Sequence, residues 1–303
     1  MKFDTILENK NRGSIDWTIP KGWEIDDEVQ FYVEGGVVHH NKPLRIMGAT
    51  SQNAVQTCYL RIFRLGWYGG SGARKIHHSD GFEVKPQTMW NPKDGLNLDF
   101  PSEGPSWQCC YELIVPEHWC DGLHIIKIEN EDGKATLVPF WLTTPHEAEG
   151  VTVCFSPINI QARNWWGGAS AIQVVNGKAR KAKSLYHQIG SETLSLNRPM
   201  FNPRGGDFLR WAYPLVRFLE RHDIPITYIT DVDIERAEVI PEGTTHLVTV
   251  GPMRYWTKLF DDLLTDFVEK EGKNYIHLGS EAGQHLISLD LASSQIKLHG
   301  EFG

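Results

Sequence analysis

Val151-Thr152-Val153-Cys154-Phe155 is a mainly apolar run of strand length, and Arg163-Asn164-Trp165-Trp166-Gly167-Gly168 follows shortly after it. The first stretch reads as a buried strand. The second joins a cation, an amide, two indoles and a glycine pair, which suits a ligand pocket near exposed backbone better than a packing layer. The same order recurs at His246–Val250 and then Gly251-Pro252-Met253-Arg254-Tyr255-Trp256. Ile226–Thr230 and Asn274–Leu278 are further strand candidates, with helical patterns between them. Trp256, Leu259, Phe260, Leu263, Leu264, Phe267 and Val268 predict a helix starting near Trp256, with Gly272 as its left-handed cap. A second helix is predicted from Asp207 to His222, with Phe208, Trp211, Leu215, Val216 and Leu219 on one face and Pro214 as a kink or first turn. Alternating strands and helices predict a parallel sheet with right-handed crossovers, a flavodoxin-like or Rossmann-like layer, over residues 148–303. Ligands in such sheets lie at the carboxyl ends of the strands, where both Arg/Trp clusters fall. The plainer alternative makes the tryptophans hydrophobic plugs and the glycines turns.

Residues 1–147 read as an all-β, immunoglobulin-like sandwich. Gln30–Val33, Cys58–Arg64 and Leu123–Ile128 alternate with the period of half-buried strands. Asp132-Gly133 marks a hairpin into Ala135–Leu142. Turn chemistry accounts for the glycines of Gly66-Trp67-Tyr68-Gly69-Gly70, although that tip could also line a site. Thr143-Thr144-Pro145-His146-Glu147 is the expected linker.

A chain of 303 residues with 41% hydrophobic and 22% charged content is an ordinary globular composition. No apolar run suits a membrane helix, and a net charge of −8 argues against a nucleic-acid partner. Five cysteines without a CxxC pair suggest reduced thiols and a cytoplasmic location. The histidines lack helical zinc spacing, and neither GxGxxG nor a P-loop occurs where a nucleotide would need one, so no cofactor is expected.

Several motifs resemble the large (beta) subunit of N,N-dimethylformamidase and its relatives. Arg64-Leu65-Gly66-Trp67-Tyr68-Gly69-Gly70-Ser71-Gly72-Ala73-Arg74 resembles the family's N-terminal β-domain signature. Asn164-Trp165-Trp166-Gly167-Gly168 resembles its Tyr-Asn-x-Trp-Gly-Gly, and Asn197-Arg198-Pro199 its Asp-Arg-Pro. Phe218–Arg221 and Tyr228–Asp233 are similar to the helix and strand that follow. Tyr255-Trp256 is similar to the end of His-x-Glu-Tyr-Trp, and Leu278–Glu281 falls where Leu-Gly-Gly-Asn is usual. The resemblance implies a sandwich followed by a class I amidotransferase-like α/β domain. It also implies amide hydrolysis at a mononuclear iron held by two tyrosines and a glutamate.

This chain departs from that pattern at the ligand positions. Arg163 stands for the motif tyrosine, Arg254 for the acid, Pro252 for the histidine, and Met200 where the other tyrosine is sought. Guanidinium is permanently cationic and has no lone pair to offer, so the family metal is not expected. Two readings stay open. Arg163 and Arg254 could clamp a carboxylate or phosphate, with Asn164, Trp165, Gly167, Gly168, Arg198 and Trp256 lining the site for an anionic or amide ligand. Alternatively, each arginine pairs with an internal acid such as Glu281, Asp231 or Asp233 and closes a dead crevice.

Glu281, beside His285 if a helix begins there, is the acid/base candidate, with a helix-dipole role as the alternative. Tyr255 and Tyr186 could donate hydrogen bonds to a substrate or simply pack. Cys154 lies inside a strand, where burial makes a thiol inert. The function expected is that of an amide C–N hydrolase with a rebuilt site, or of a non-catalytic binding or assembly subunit. The chain runs to Leu298–Gly303, soon after the fourth predicted strand; an edge exposed there would favour a homo-oligomer or a partner subunit.

Overall fold

The computed structural model describes residues 4–25, 28–90, 99–144, 148–175, 178–179 and 189–301. It is β-rich, with several sheets and six α-helices among the described residues. Two compact units form. The first comprises Met1–Met89, Pro105–Thr143 and Pro199–Pro225; the second comprises Trp90–Gly104, Thr144–Arg198 and Ile226–Gly303. Labels run in chain order across both units. No helix among the described residues is long and apolar enough to cross a membrane.

In the first unit, β1 (Val29–Val33), β3 (Pro43–Thr50) and β7 (Cys109–Ile114) make a sheet in the order β1-β3-β7. A second sheet runs β2 (Val37–Val38), β9 (Ala135–Leu142), β8 (Gly122–Asn130), β4 (Gln56–Leu65) and β5 (Ala73–His78), with β6 (Phe82–Val84) also on β4. Alternation sends Phe31, Val33, Leu44 and Ile46 of one sheet and Leu60, Ile62, Ile126 and Phe140 of the other into one core. Gly133, at φ 78, makes the turn between β8 and β9 that Asp132-Gly133 announces.

The chain returns to this unit with a wide π-turn at Phe208–Ala212 that continues into α4 (Tyr213–Arg221). Pro214 lies at the start of α4 and has no N–H for Arg210 O; widening the preceding turn accommodates its ring. That turn shifts the buried face to Phe208, Ala212, Val216, Leu219 and Glu220, so Trp211 and Leu215 are only half-buried.

Glu220 enters a buried ionic knot. Its Oε1 accepts from Arg64 Nη2 at 2.7 Å, and its Oε2 from Asn9 Nδ2 at 2.7 Å. Both charged side chains are 0% exposed. Tyr68 Oη sits 3.0 Å from Arg64 Nη1 and donates to Glu8 Oε1 at 2.7 Å, which ties in α1 (Thr5–Glu8). A Cβ on Gly66 would lie 2.3 Å from Glu220 Oε2, so that glycine is required by close approach. Beside the knot, His124 is stacked between Trp119 and Phe140.

In the second unit, β10 (Gly150–Phe155), β16 (Ile226–Thr230), β17 (Thr244–Val250) and β19 (Asn274–Leu278) form an all-parallel sheet in the order β16-β10-β17-β19. Helices α3 (Pro157–Arg163), α5 (Asp231–Ala237) and α6 (Lys258–Glu269) follow β10, β16 and the β17 loop. Cys154, Ile229, Leu247, Phe260, Leu264 and Phe267 share a core. The helix expected from Trp256 begins at Lys258 instead. Thr257 caps it by accepting from Phe260 N at 3.0 Å, while Trp256 lies in the short strand β18 (Tyr255–Thr257).

The segment after β19 does not form a helix. Glu281 is in a turn at φ 62, and His285 opens β20 (His285–Asp290), which pairs with β21 (Gln295–Glu301). These two join β15 (Thr193–Ser195) and β18 in a second sheet, order β15-β21-β20-β18. β11 (Ala169–Ser170) pairs with β14 (Ile189–Gly190), β12 (Val174–Val175) pairs with β13 (Lys178–Ala179), and α2 (Asp99–Glu103) completes the unit.

Candidate functional site

The strand order of the parallel sheet reverses at β10, which sends the chain to β16 on one side while β17 lies on the other. The carboxyl ends of β10 and β17 therefore flank the switch point where open parallel sheets place their ligands. Ser156 ends β10 and caps α3, with its Oγ accepting from Asn159 N at 2.9 Å. About two turns of helix then set Arg163 at its end.

The loop after β17 is fixed by the Asn159 amide. Asn159 Oδ1 accepts from Tyr255 N and Asn159 Nδ2 donates to Tyr255 O, both at 2.9 Å. Gly283 N donates to Met253 O at 3.0 Å and Gln284 N to Arg254 O at 2.9 Å, so the Glu281 turn is pinned to the same loop.

Three of the expected residues meet there. Glu281 Oε2 is 3.4 Å from Arg163 Nη1, and Glu281 Oε1 is 3.7 Å from Arg254 Nη1. Well-formed charge-assisted bonds are about 2.7–2.9 Å, so both contacts with Glu281 are long. Arg254 Nε is buried without a hydrogen-bond partner, and so is Tyr255 Oη. Burial pushes the Tyr255 phenol up to about 12 against the opposing pull of Arg254 and Arg163, so at neutral pH it is a donor. Its ring stacks on His285 at 5.8 Å.

The other expected residues serve elsewhere. Arg198 is fully buried and donates to four backbone carbonyls: Ser195 at 2.9 Å, Trp166 at 3.1 Å, Ala169 at 3.4 Å, and Gln161. Burial lowers its pKa to about 9. Asn164 donates from Nδ2 to Gln161 Oε1 at 2.9 Å, and its Oδ1 accepts from Trp166 N at 3.4 Å. Gly167 and Gly168 both have φ 85, and a Cβ on Gly167 would press on Pro101 at 3.0 Å. Trp166 is core, edge-on to Phe100 at 5.6 Å, whereas Trp165 is half-buried. Trp256 packs against Phe260 at 5.4 Å. Cys154 is wholly buried and burial drives its thiol far up, which leaves it inert. Tyr186 lies outside the described residues.

Asp231, expected as a candidate counter-ion for the arginines, instead joins Ser156 in a buried polar cluster that sequence reasoning did not anticipate. Ser156 Oγ donates to Asp231 Oδ2, and Asp231 Oδ1 has no partner. Burial raises the Asp231 carboxyl well above its usual range, which favours its neutral form in the folded chain. The only hint in the sequence was Ser156-Pro157, a cap followed by a first-turn proline. Because the folded pKa exceeds the unfolded value near 3.8, the carboxyl's contribution to stability is full below that pH and is lost as pH rises. Asp231→Asn is expected to raise the melting temperature at pH 8 relative to wild type and to change little at pH 4; equal melting curves at both pH values would contradict this.

The iron implied by the resemblance does not fit this arrangement. Two guanidiniums around one carboxylate leave a net positive charge beside a protonated phenol, which repels rather than gathers a cation.

Residues 59–293 match the family profile of the N,N-dimethylformamidase beta subunit-like C-terminal domain, and the chain belongs to this family. No curated protein matches the chain. Among solved structures, Pseudomonas fluorescens alkylpurine DNA glycosylase AlkC bound to DNA is 15% identical, covering 39% of this chain and 31% of its own, with a TM-score of 0.23. A Paenibacillus sp. cycloisomaltooligosaccharide glucanotransferase is 10% identical, covering 67% and 27% with a TM-score of 0.26. Pectate lyase Pel3 from Pectobacterium carotovorum is 9% identical, covering 84% and 64% with a TM-score of 0.20. The chain thus spans 31% and 27% of the first two, and likenesses this faint carry no argument.

Proposed function

We propose that this family member binds a small carboxylate, phosphate or amide between Arg163 and Arg254, with Tyr255 as hydrogen-bond donor and without the family iron. The observation that carries this reading is the convergence of both guanidiniums on one carboxylate, next to an orphaned Arg254 Nε and Tyr255 Oη. In the hydrolytic version, Tyr255 stabilises the oxyanion formed as water adds to an amide carbonyl; Glu281, released from the arginines, takes the proton of that water and returns it to the amine nitrogen as the C–N bond breaks. Asn164, Trp165, Gly167, Gly168 and Arg198 shape the wall behind Arg163, and Trp256 supports Tyr255 from the other side. The finer architecture goes with this reading: an immunoglobulin-like sandwich and a flavodoxin-like, amidotransferase-like sheet divided near residue 147. A cytoplasmic home, which the five unpaired thiols support, and association with a second copy or a partner subunit belong to it as well.

Glu281 also favours a second reading, a non-catalytic binding or assembly subunit, because it already occupies both arginines. Thermal-shift titration with acetate, phosphate and acetamide separates the two. Stabilisation by an anion is expected, lost in Arg163→Ala and Arg254→Ala, and several-fold stronger in Glu281→Gln, which removes the carboxylate the two guanidiniums share. No response in wild type or in Glu281→Gln, or one equivalent of transition metal in the purified protein, would overturn anion binding.

A further inference from the structure

The outward face of the π-turn and α4 carries a stripe that the site above does not use. Arg210, Pro214, Arg217, Phe218 and Arg221 recur at i, i+4, i+7, i+8 and i+11, one side of a helical rod. Arg210 and Arg221 are exposed, and Phe218 between them is 57% exposed. Among the described residues, none of these three arginines makes an ion pair. Each is instead laid over an aromatic ring: Arg210 on Trp211 at 4.9 Å, Arg221 on Trp67 at 4.9 Å, and Arg217 on Trp67 at 5.3 Å and Tyr213 at 5.5 Å. Arg217 Nη2 donates to Gly70 O at 3.2 Å, and its Nε is buried without a partner. A guanidinium laid over a ring is held in place, and at the exposed Arg210 and Arg221 its N–H groups stay open to an anion. In a chain of net charge −8, a stripe of cations without carboxylates is the exception.

We propose that this face docks an acidic peptide segment of a partner protein, its carboxylates on Arg217, Arg221 and Arg210 and an apolar side chain on Phe218. Charge complementarity selects the occupant. The stripe is short, roughly 16 Å at helical rise, and an extended peptide sets carboxylates at matching intervals of a few residues. A nucleic acid or an anionic membrane presents a long continuous array instead, and the bulk negative charge of this chain opposes it.

Fluorescence anisotropy with a fluorescein-labelled peptide of glutamates flanking one leucine, and with its glutamine counterpart, tests this on the full chain. Saturable binding of the glutamate peptide alone is expected, weakened by salt and by roughly tenfold or more in Arg217→Glu/Arg221→Glu. Trp67 fluorescence should change in step. Should that double variant not fold, Arg210→Glu/Arg221→Glu, altered only at exposed positions, carries the same test. Undiminished binding by folded variants, tighter binding of a single-stranded oligonucleotide or of phosphatidylserine vesicles, or a self-association that the charge reversals abolish, would each overturn the proposal.

Discussion

Glu220→Ala is expected to destabilise the protein by about 3–5 kcal/mol, the cost of leaving a buried charge uncompensated. Arg64 is held inside with 0% of its side chain exposed, and Glu220 supplies its carboxylate partner. Removing Glu220 also takes an acceptor from Asn9 and from Trp67 N at 3.3 Å. The loss should therefore reach α1 and the Gly66–Gly70 tip as well as α4. Replacing both charges together, as Arg64→Met/Glu220→Leu, removes the uncompensated ion and should recover much of the loss. Urea denaturation of the three chains measures this. A single variant within about 1 kcal/mol of wild type would show that the pair is solvated, as surface pairs are.

The second large effect is a dependence on acid. Burial, reinforced by the nearby Arg64 charge, lowers the His124 pKa to about 3. The ring is neutral in the folded chain, with Nδ1 donating to Gly122 O at 3.1 Å and Nε2 left without a partner. The unfolded imidazole titrates near 6.5, so between pH 6.5 and about 3 the unfolded state binds the extra proton. Stability from this group is intact above pH 6.5 and falls as pH drops through that window. The slope approaches about 1.4 kcal/mol per pH unit, or about 2 kcal/mol between pH 7 and pH 5. His124→Phe, a ring of similar size between Trp119 and Phe140, should flatten the pH profile by that difference. Parallel profiles for the two chains from pH 7 to pH 5 would refute it.

The sequence was legible where local rules and packing agree. Alternation at Cys58–Arg64 and Leu123–Ile128, the hairpin signal before Ala135–Leu142, and the strand candidates Val151–Phe155 and Ile226–Thr230 all coincide with strands. β3 went unread because it opens on Pro43 and contains Gly48, both of which resemble loop. Yet a Cβ at Gly48 would lie 2.6 Å from the Phe31 ring, so the glycine is a packing requirement. The β20–β21 hairpin was hidden by its polar outer residues and by the turn at Leu291–Ser294, which lacks glycine.

At the site, the positional rule for strand ends led to Arg163, Arg254 and Tyr255, because connectivity alone brings those loops together. Nothing local marks Asn159 as the clamp on Tyr255, since that role exists only once α3 and the β17 loop are adjacent. Arg198 shows the opposite limit: a cation in a motif suggests a ligand, while its four carbonyl partners come from backbone that sequence cannot place.

The return of Pro199–Pro225 to the first unit bears on biosynthesis. Arg64 emerges from the ribosome long before Glu220, its counter-ion in the finished molecule. For the time taken to translate the intervening chain, the Arg64 guanidinium has water rather than Glu220 as its partner. The unit becomes complete only once residues 199–225 have been made, so its closing step is timed by synthesis of a segment encoded far downstream of its strands.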